Sequence, residues 1–238
     1  MHVSLFNATL DVKRGTYEGG FKVWEGTHDL VQFISKDEEF IGGLFRRNQG
    51  LKVLELGCGC GLASLAFISR LIASQEFDQN YQIHLQDYNW QVLTNYTMLN
   101  FGLNLPPDYF RALIKTKSLR FFYGDWTKFR GGHKGNNYDL ILMSETIYDS
   151  SNYSALHDLL RLQLRQDGFI VMASKDVYFG LTGGLYSWLD FIATENVFIP
   201  IKTLKVNQTN IPRSILVLRK ISPRETPTCN FIDCDIQK

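Results

Sequence analysis

Long apolar runs are missing from this sequence. No stretch of its 238 residues approaches the roughly 18 consecutive apolar positions that a membrane-spanning helix needs, so no membrane partner is expected. The start, Met1-His-Val-Ser-Leu-Phe6, has neither the cationic region nor the apolar core of a secretory signal. An excess of one charge is also missing. The net charge is +1, which gives no broad positive field for nucleic acid. Cysteine is sparse: Cys58 lies near Cys60 and Cys229 near Cys234, without the C-x-x-C spacing of a zinc site, and the histidines are scattered. Cys58 and Cys60 are too close for an unstrained disulfide, so reduced thiols in the cytoplasm or nucleus are expected. Internal repeats, low-complexity tracts and linkers that would split the chain are absent as well. What remains is an ordinary globular composition, 45% hydrophobic and 21% charged, on a chain long enough for one large α/β domain.

The stretch that organises the chain is Leu51-Lys-Val-Leu-Glu-Leu-Gly-Cys-Gly-Cys-Gly61. Val53, Leu54 and Leu56 read as a short buried strand, and Gly57, Gly59 and Gly61 as the turn that ends it. Glycine is needed where backbone takes a positive φ or lets a ligand come close. Residues 62–74 then have helical spacing, so the order is strand, glycine turn, helix. Such a turn is a nucleotide-type site in an open α/β sheet. Two ligand classes compete for it. A dinucleotide site uses G-x-G-x-x-G, with a pyrophosphate on the helix N-terminus. Here the spacing is G-x-G-x-G, and Glu55 stands two residues before the first glycine. A carboxylate there opposes a pyrophosphate and suits an ammonium or sulfonium. S-adenosyl-L-methionine carries both, and Glu-x-Gly-Cys-Gly-Cys-Gly resembles the first motif of class I methyltransferases.

The rest of the chain is read in order. Residues 1–14 form a short lead-in with one strand. Gly19-Gly20 is a turn signal, and 21–24 is extended. Thr27 or Asp29 is placed to cap a helix over 30–40, with Leu30, Val31, Phe33 and Ile34 on its core face. Gly42-Gly43 closes or kinks that helix. A second strand, 81–87, ends at Asp87, where an acid is placed to accept from ribose hydroxyls. Asn89 caps the next helix, 90–101. Residues 102–116 read as a connection with a short helix. Strand three, 119–123, runs into Gly124-Asp-Trp126, where an acid and a stacking aromatic would meet an adenine. Residues 131–137 are a polar, Gly-rich loop. Strand four, 138–144, is apolar on both faces, as a central parallel strand should be, and leads to Glu145-Thr-Ile-Tyr148. A helix (152–164), strand five (168–174), a loop with glycines and aromatics (175–184) and a helix (185–194) follow. An antiparallel pair, 198–206 with 213–220, closes the fold, and 222–238 is a poorly ordered tail. The expected fold is α/β, Rossmann-like, of the class I methyltransferase kind. It has a seven-stranded, mostly parallel sheet, helices on both faces and a terminal antiparallel hairpin. Residues 1–50 are expected to be a lead-in that covers the cofactor, 51–221 the core and 222–238 a flexible tail.

Three more pieces resemble the histidine protein methyltransferases, within the broader group that includes the family 16 protein-lysine methyltransferases. They are Tyr17-Glu-Gly-Gly-Phe-Lys-Val-Trp-Glu25 with Thr27, then Leu85-Gln-Asp-Tyr-Asn89, and then Ser144-Glu-Thr-Ile-Tyr148 with Ala173-Ser-Lys175 and Tyr178-Phe-Gly180. With the glycine turn and Gly124-Asp-Trp126, the resemblance runs over residues 15–220. It implies S-adenosyl-L-methionine as cofactor and, as protein substrate, a histidine of a large-subunit ribosomal protein. Nothing suggests an obligate dimer, so a monomer is expected. Carried over position by position, the resemblance puts Val23, Trp24, Glu25 and Thr27 on the cofactor. Gly57 and Gly59 approach its methionine part; Glu55, from its place before the glycine turn, is expected to face the cofactor's positive charge. Gln86, Asp87 and Tyr88 hold ribose and adenine; Gly124, Asp125 and Trp126 line the adenine pocket; Ser144 closes the site from strand four. Gly26 stands where the family pattern has a cysteine, a change expected to matter little. The family's long N-terminal extension has no counterpart in these residues.

The implied chemistry is methyl transfer to an imidazole nitrogen. Neutral imidazole already has a lone pair, and with a free pKa of about 6.5 it is mostly neutral at pH 7. No strong base is required; the enzyme must select the tautomer, align the nitrogen and exclude water. A carboxylate would stabilise the cationic product as charge develops. Glu145 is the first candidate and Asp149 the second. Tyr148 would stack on or hydrogen-bond the target ring, and Lys175, Tyr178 and Phe179 would form the peptide wall. Two other readings stay open. One is a protein-lysine methyltransferase, which shares an acidic-x-x-aromatic motif after strand four. The other is a non-catalytic binding module that kept the fold.

Overall fold

The computed structural model describes residues 12–13, 15–47, 50–74, 81–129, 138–206 and 210–222. Most of the expected lead-in strand, the 131–137 loop and the tail after Ser222, with Cys229 and Cys234, lie outside the described residues. Strands β1 (Lys52–Leu56), β2 (Gln82–Asp87), β3 (Leu119–Tyr123), β4 (Tyr138–Ser144), β5 (Leu164–Lys175), β6 (Phe198–Val206) and β7 (Arg213–Lys220) make one sheet. Their order is β3-β2-β1-β4-β5-β7-β6. The first five are mutually parallel, β7 runs antiparallel to β5, and β6 antiparallel to β7. Chain order reverses between β1 and β4, so the loops leaving these two strands diverge. A crevice opens at their carboxyl ends, where open α/β sheets bind ligands.

Side chains alternate across the sheet because the strand repeat is two residues. Val53, Leu140, Leu142, Val171 and Val217 join one buried cluster; Leu54, Leu56, Ile141, Met143, Ile170 and Leu216 join the other. Helices α1 (Glu25–Lys36), α2 (Ile41–Arg47) and α3 (Leu62–Ala73) cover the first face. With them lie α4 (90–104) and α5 (Pro107–Lys115). Helices α6 (Tyr153–Gln163) and α7 (Leu185–Glu195) cover the second face. No described helix is long and apolar enough to cross a membrane. Within α4 the chain makes a π turn over Leu93–Thr97. There the Thr97 hydroxyl donates to Gly59 O at 2.6 Å, so the irregular turn is tied to the glycine loop.

The seven-stranded sheet, its parallel core and the closing hairpin agree with the sequence reading. Several boundaries differ. Helix α1 begins at Glu25, not 30, and neither Thr27 nor Asp29 caps it. Thr27 lies inside the helix on Ser144, and Asp29 pairs with Arg213 at 2.5 Å. The cap comes instead from across the fold, as described below. Residues 21–24 form no strand, and Gly42-Gly43 sits inside α2 rather than ending α1. The Asn89 side chain does not cap α4, because it is spent on Thr16 O and on the amide of Glu18. Strand β5 starts at Leu164, ahead of a register shift opposite Tyr138 and Leu140.

Candidate active site

The site is built from four loops at the carboxyl edge of the sheet. The first is the glycine turn. Gly57, Gly59 and Gly61 have φ of 60°, 49° and 73°, a region that side chains with a Cβ rarely enter. A Cβ on Gly59 would lie 3.1 Å from Gly20 O, so bare glycine lets a strap from the N-terminal segment lie across the turn. That strap, residues 15–24, is stitched to the loop after β2. Tyr88 donates to Gly15 O, Asn89 to Thr16 O, and the Glu18 amide to Asn89 Oδ1. Trp24 Nε1 donates to Gly19 O at 3.1 Å.

The end of β2 supplies the floor. Gln86 is fully buried, and both ends of its amide are committed. Its oxygen accepts from Trp126 Nε1 at 3.0 Å and Gly57 N at 3.4 Å; its nitrogen donates to Gly124 O at 2.7 Å. It therefore joins the glycine turn to the loop after β3 from beneath. Asp87 accepts from Gly59 N and Asn89 N. Burial, with Glu18 nearby, pushes its carboxyl up from the usual range.

The end of β4 supplies the opposite wall. Glu145 is buried with φ of 54°, an uncommon backbone for a non-glycine residue. The surrounding bonds hold it there. Its amide donates to Ala173 O, Oε1 accepts from Gly26 N at 3.0 Å, and Oε2 accepts from the Tyr178 hydroxyl. Gly26 N–H is an orphan donor of the first turn of α1, so Glu145 caps that helix from 119 residues away. A Cβ at Gly26 would fall 2.6 Å from Glu145 Oε1. The glycine at this position is thus coupled to the Glu145 geometry, and a larger residue would need that side chain to move. Burial raises the Glu145 carboxyl, opposed by Tyr178 and Lys175.

These loops enclose a cavity of about 420 Å³, within the range of small-molecule sites. Trp24, Thr27, Gly57, Gly59, Asp87, Tyr88, Asp125, Trp126, Ser144, Glu145 and Tyr148, all named from sequence, line it together. Val23, Glu25, Gln86, Gly124, Lys175, Tyr178 and Phe179 do not. Glu25 pairs with Lys175 at 3.5 Å, and Lys175 lies over the Trp24 ring. Tyr178 is buried against Glu145 and cannot serve as an open peptide wall, whereas Phe179 is 82% exposed. Sequence reasoning gave no role to Glu18, which also lines the cavity and accepts from the Tyr148 hydroxyl. Its signal was present, since it immediately precedes Gly19-Gly20 of the strap.

Glu55 is the other departure. It sits on the face of β1 that α3 covers, and its carboxylate accepts from Ser64 N at 2.9 Å in the first turn of α3. It does not line the cavity. Burial pushes its carboxyl up to about 7. The folded state therefore holds this proton more tightly than the unfolded chain, and stability falls as pH rises from the ordinary value of 4.5 through about 7. The ligand-free protein should unfold at lower temperature at pH 8 than at pH 5. Glu55→Gln, which keeps the acceptor for Ser64, should flatten that slope by up to about 3 kcal/mol. Parallel melting curves for the two proteins across this range would reject the shift.

The lining has a chemical bias. Glu18, Asp87, Asp125, Glu145 and Asp149 face the cavity against one lysine, Lys22. Such a wall disfavours a pyrophosphate and suits a cation. Trp126 offers an aromatic face at the β3 edge, while the glycine turn admits a close backbone approach. These features fit S-adenosylmethionine, with its sulfonium, ammonium and adenine.

The order of strands, the glycine turn and the closing hairpin define a class I methyltransferase fold. A glycopeptide N-methyltransferase solved with S-adenosylmethionine superposes with a TM-score of 0.56 at 11% identity, over 83% of this chain and 88% of that one. The magnesium protoporphyrin IX methyltransferase of Synechocystis PCC 6803, solved with S-adenosylhomocysteine, gives 0.54 at 15%, over 82% and 81%. The chain belongs to methyltransferase family 16, whose model is described as lysine methyltransferase and matches residues 6–178. It is also similar to "Histidine protein methyltransferase 1 homolog" of Rattus norvegicus, at 33% identity over 89% of this chain and 59% of that protein. The Dictyostelium discoideum homolog of the same name is 30% identical over 89% of this chain and 62% of its own length. "Histidine protein methyltransferase 1" of Saccharomyces cerevisiae is 26% identical over 92% and 69%. The chain spans about three fifths of the length of the mammalian relatives it matches.

Proposed function

We propose that this protein transfers a methyl group from S-adenosylmethionine to a histidine side chain of a protein substrate, a large-subunit ribosomal protein. The observation that carries the chemistry is one acidic cavity uniting the glycine turn with Ser144, Glu145 and Tyr148 at the end of β4. The choice of histidine rests on the names of the relatives, and the ribosomal target on the motif resemblance.

S-adenosylmethionine supplies an electrophilic methyl. Asp87, Tyr88 and Trp126 would hold its adenosine end, Gly57 and Gly59 would admit its methionine end, and Trp24 and Thr27 would cover it. The strap and the β4 loop exclude water and orient the acceptor ring. Glu145 serves as a positioning residue: through Gly26 and Tyr178 it locks α1 and the loop after β5 onto the end of β4.

The family description supports a second reading, transfer to lysine. A lysine must first lose its proton, so its rate climbs steeply above pH 8, whereas histidine transfer levels off near neutrality. The test uses labelled S-adenosylmethionine and a lysate lacking its own activity, with hydrolysis of the labelled protein. Methylhistidine, with a rate flat above about pH 7.5, is expected. Methyllysine with a rising profile would replace the first reading by the second. Absence of any transfer, despite cofactor binding, would favour a binding module.

A further inference from the structure

The cavity contains five carboxyl groups, and the proposed reaction needs one of them in direct contact with the acceptor ring. A neutral imidazole attacks through one nitrogen and carries a proton on the other. An acceptor for that N–H fixes the tautomer and meets the charge that develops. Asp125 lies beyond β3, three strands from the end of β4. Asp87 holds Gly59 N and Asn89 N at the end of β2. Asp149 is buried, and its Oδ1 accepts from the Ser151 amide and hydroxyl and from the Thr182 hydroxyl. Glu145 holds Gly26 N–H and the buried Tyr178 hydroxyl; releasing the first would leave a buried donor without its acceptor, and releasing the second would leave the hydroxyl only its 3.3 Å contact with Ser174 Oγ.

Glu18 differs. It is half-buried on the strap, and Oε1 accepts from Gly15 N while Oε2 accepts from the half-buried Tyr148 hydroxyl. Tyr148 itself lines the cavity, so a substrate N–H can take its place on Oε2 without stranding a buried group. Asn89 fixes the Glu18 backbone from below, which orients the carboxylate before substrate arrives.

We propose that Glu18, gated by Tyr148, is the catalytic residue that accepts the N–H of the target imidazole and thereby selects which ring nitrogen is methylated. This rests on the histidine reading above. The ring lone pair forms the new N–C bond, the methyl–sulfur bond breaks with its electron pair left on sulfur, and the proton on the other ring nitrogen passes to Glu18 and then to water.

The test compares wild type, Glu18→Gln, Glu18→Asp and Tyr148→Phe. Each is given labelled S-adenosylmethionine and a lysate lacking its own activity, and the two methylhistidine isomers are quantified after hydrolysis. Affinity for S-adenosylhomocysteine is measured by calorimetry on the same proteins. Glu18→Gln should cut turnover about tenfold or more, the effect of one hydrogen bond to a charged group. It should also turn a single isomer into a mixture, and leave S-adenosylhomocysteine affinity within about twofold. Glu18→Asp should restore the isomer preference in part, and Tyr148→Phe should keep it. Wild-type turnover and a single isomer in Glu18→Gln would overturn the proposal while leaving histidine transfer standing. Loss of cofactor affinity in proportion to turnover would make Glu18 a cofactor-binding group instead. Methyllysine from the wild type would overturn the histidine reading and this proposal together.

Discussion

Replacing Gly183 by alanine should destabilise the protein by about 3 kcal/mol or more and nearly abolish turnover. Gly183 lies in the loop between β5 and α7, where its amide donates to Tyr148 O at 3.0 Å. An added Cβ would stand 2.1 Å from Ile147 O, 2.4 Å from the Tyr148 carbonyl carbon and 2.7 Å from Asp149 N. All three are backbone atoms, so no side chain can swing aside. Either the 176–184 loop lifts or the 147–149 segment retreats, and the second carries Tyr148 out of the cavity wall. For a domain of this size, about 3 kcal/mol lowers the melting temperature by roughly 6–12 °C. Affinity for S-adenosylhomocysteine should fall much less than turnover, because the glycine turn and the β2 end lie across the sheet switch point from this contact. A melting temperature within about 2 °C of wild type would mean that the loop yields cheaply and does not hold the β4 segment.

Contacts of this kind, between segments distant in the chain, are the part of the molecule least legible in the sequence. The strand, glycine turn and helix at 52–73 could be read because the apolar period changes from two to helical spacing at a glycine cluster. The sequence bounds of β6 and β7 coincide with the hairpin, two β-rich runs of which β7 carries the continuous apolar stretch Ile215–Leu218, separated by polar residues and a proline. Three of the features that differ share one cause, a polar group whose partner is far away in sequence, and Glu55 differs for another, the face of the strand it occupies. Local capping rules see Thr27 and Asp29 and so put the start of α1 late, while the actual acceptor for Gly26 N–H is Glu145. Asn89 looked like a cap and is instead the post that holds the strap. Gln86 looked like a ligand contact and is a cross-brace under the floor. Glu55 looked as if it pointed at the ligand, but the face of β1 it occupies belongs to α3. A sequence motif thus told which residues gather at the site, and the fold decided which of them face the cavity.

Glu145 is where charge and geometry separate most cleanly, and Glu145→Ala should be the most damaging change at the site itself. The variant leaves Gly26 N–H without its acceptor and the Tyr178 hydroxyl with only its 3.3 Å contact to Ser174 Oγ, both in buried surroundings. An unsatisfied buried donor costs about 1–3 kcal/mol, and the weakened Tyr178 bond adds to the loss. With only the Thr27–Ser144 bond left to tie the start of α1 to the end of β4, Trp24 and the first turn of α1 should shift, and a displacement of about 1 Å can cost on the order of 100-fold in turnover. Glu145→Gln separates the causes. Its carbonyl can still accept from Gly26, and the Tyr178 hydroxyl can turn to Ser174 Oγ, which lies 3.3 Å away. If Glu145 acts by position, the glutamine variant should recover most of the lost stability and keep turnover within about tenfold of wild type, with unchanged S-adenosylhomocysteine affinity. If its charge is what stabilises the cationic product, the glutamine variant should be as slow as the alanine variant yet as stable as wild type. The second outcome would restore Glu145 to the catalytic role its place after β4 suggests, and would shift the acceptor of the ring proton away from Glu18. Melting temperature and turnover measured on the same two proteins decide between these roles.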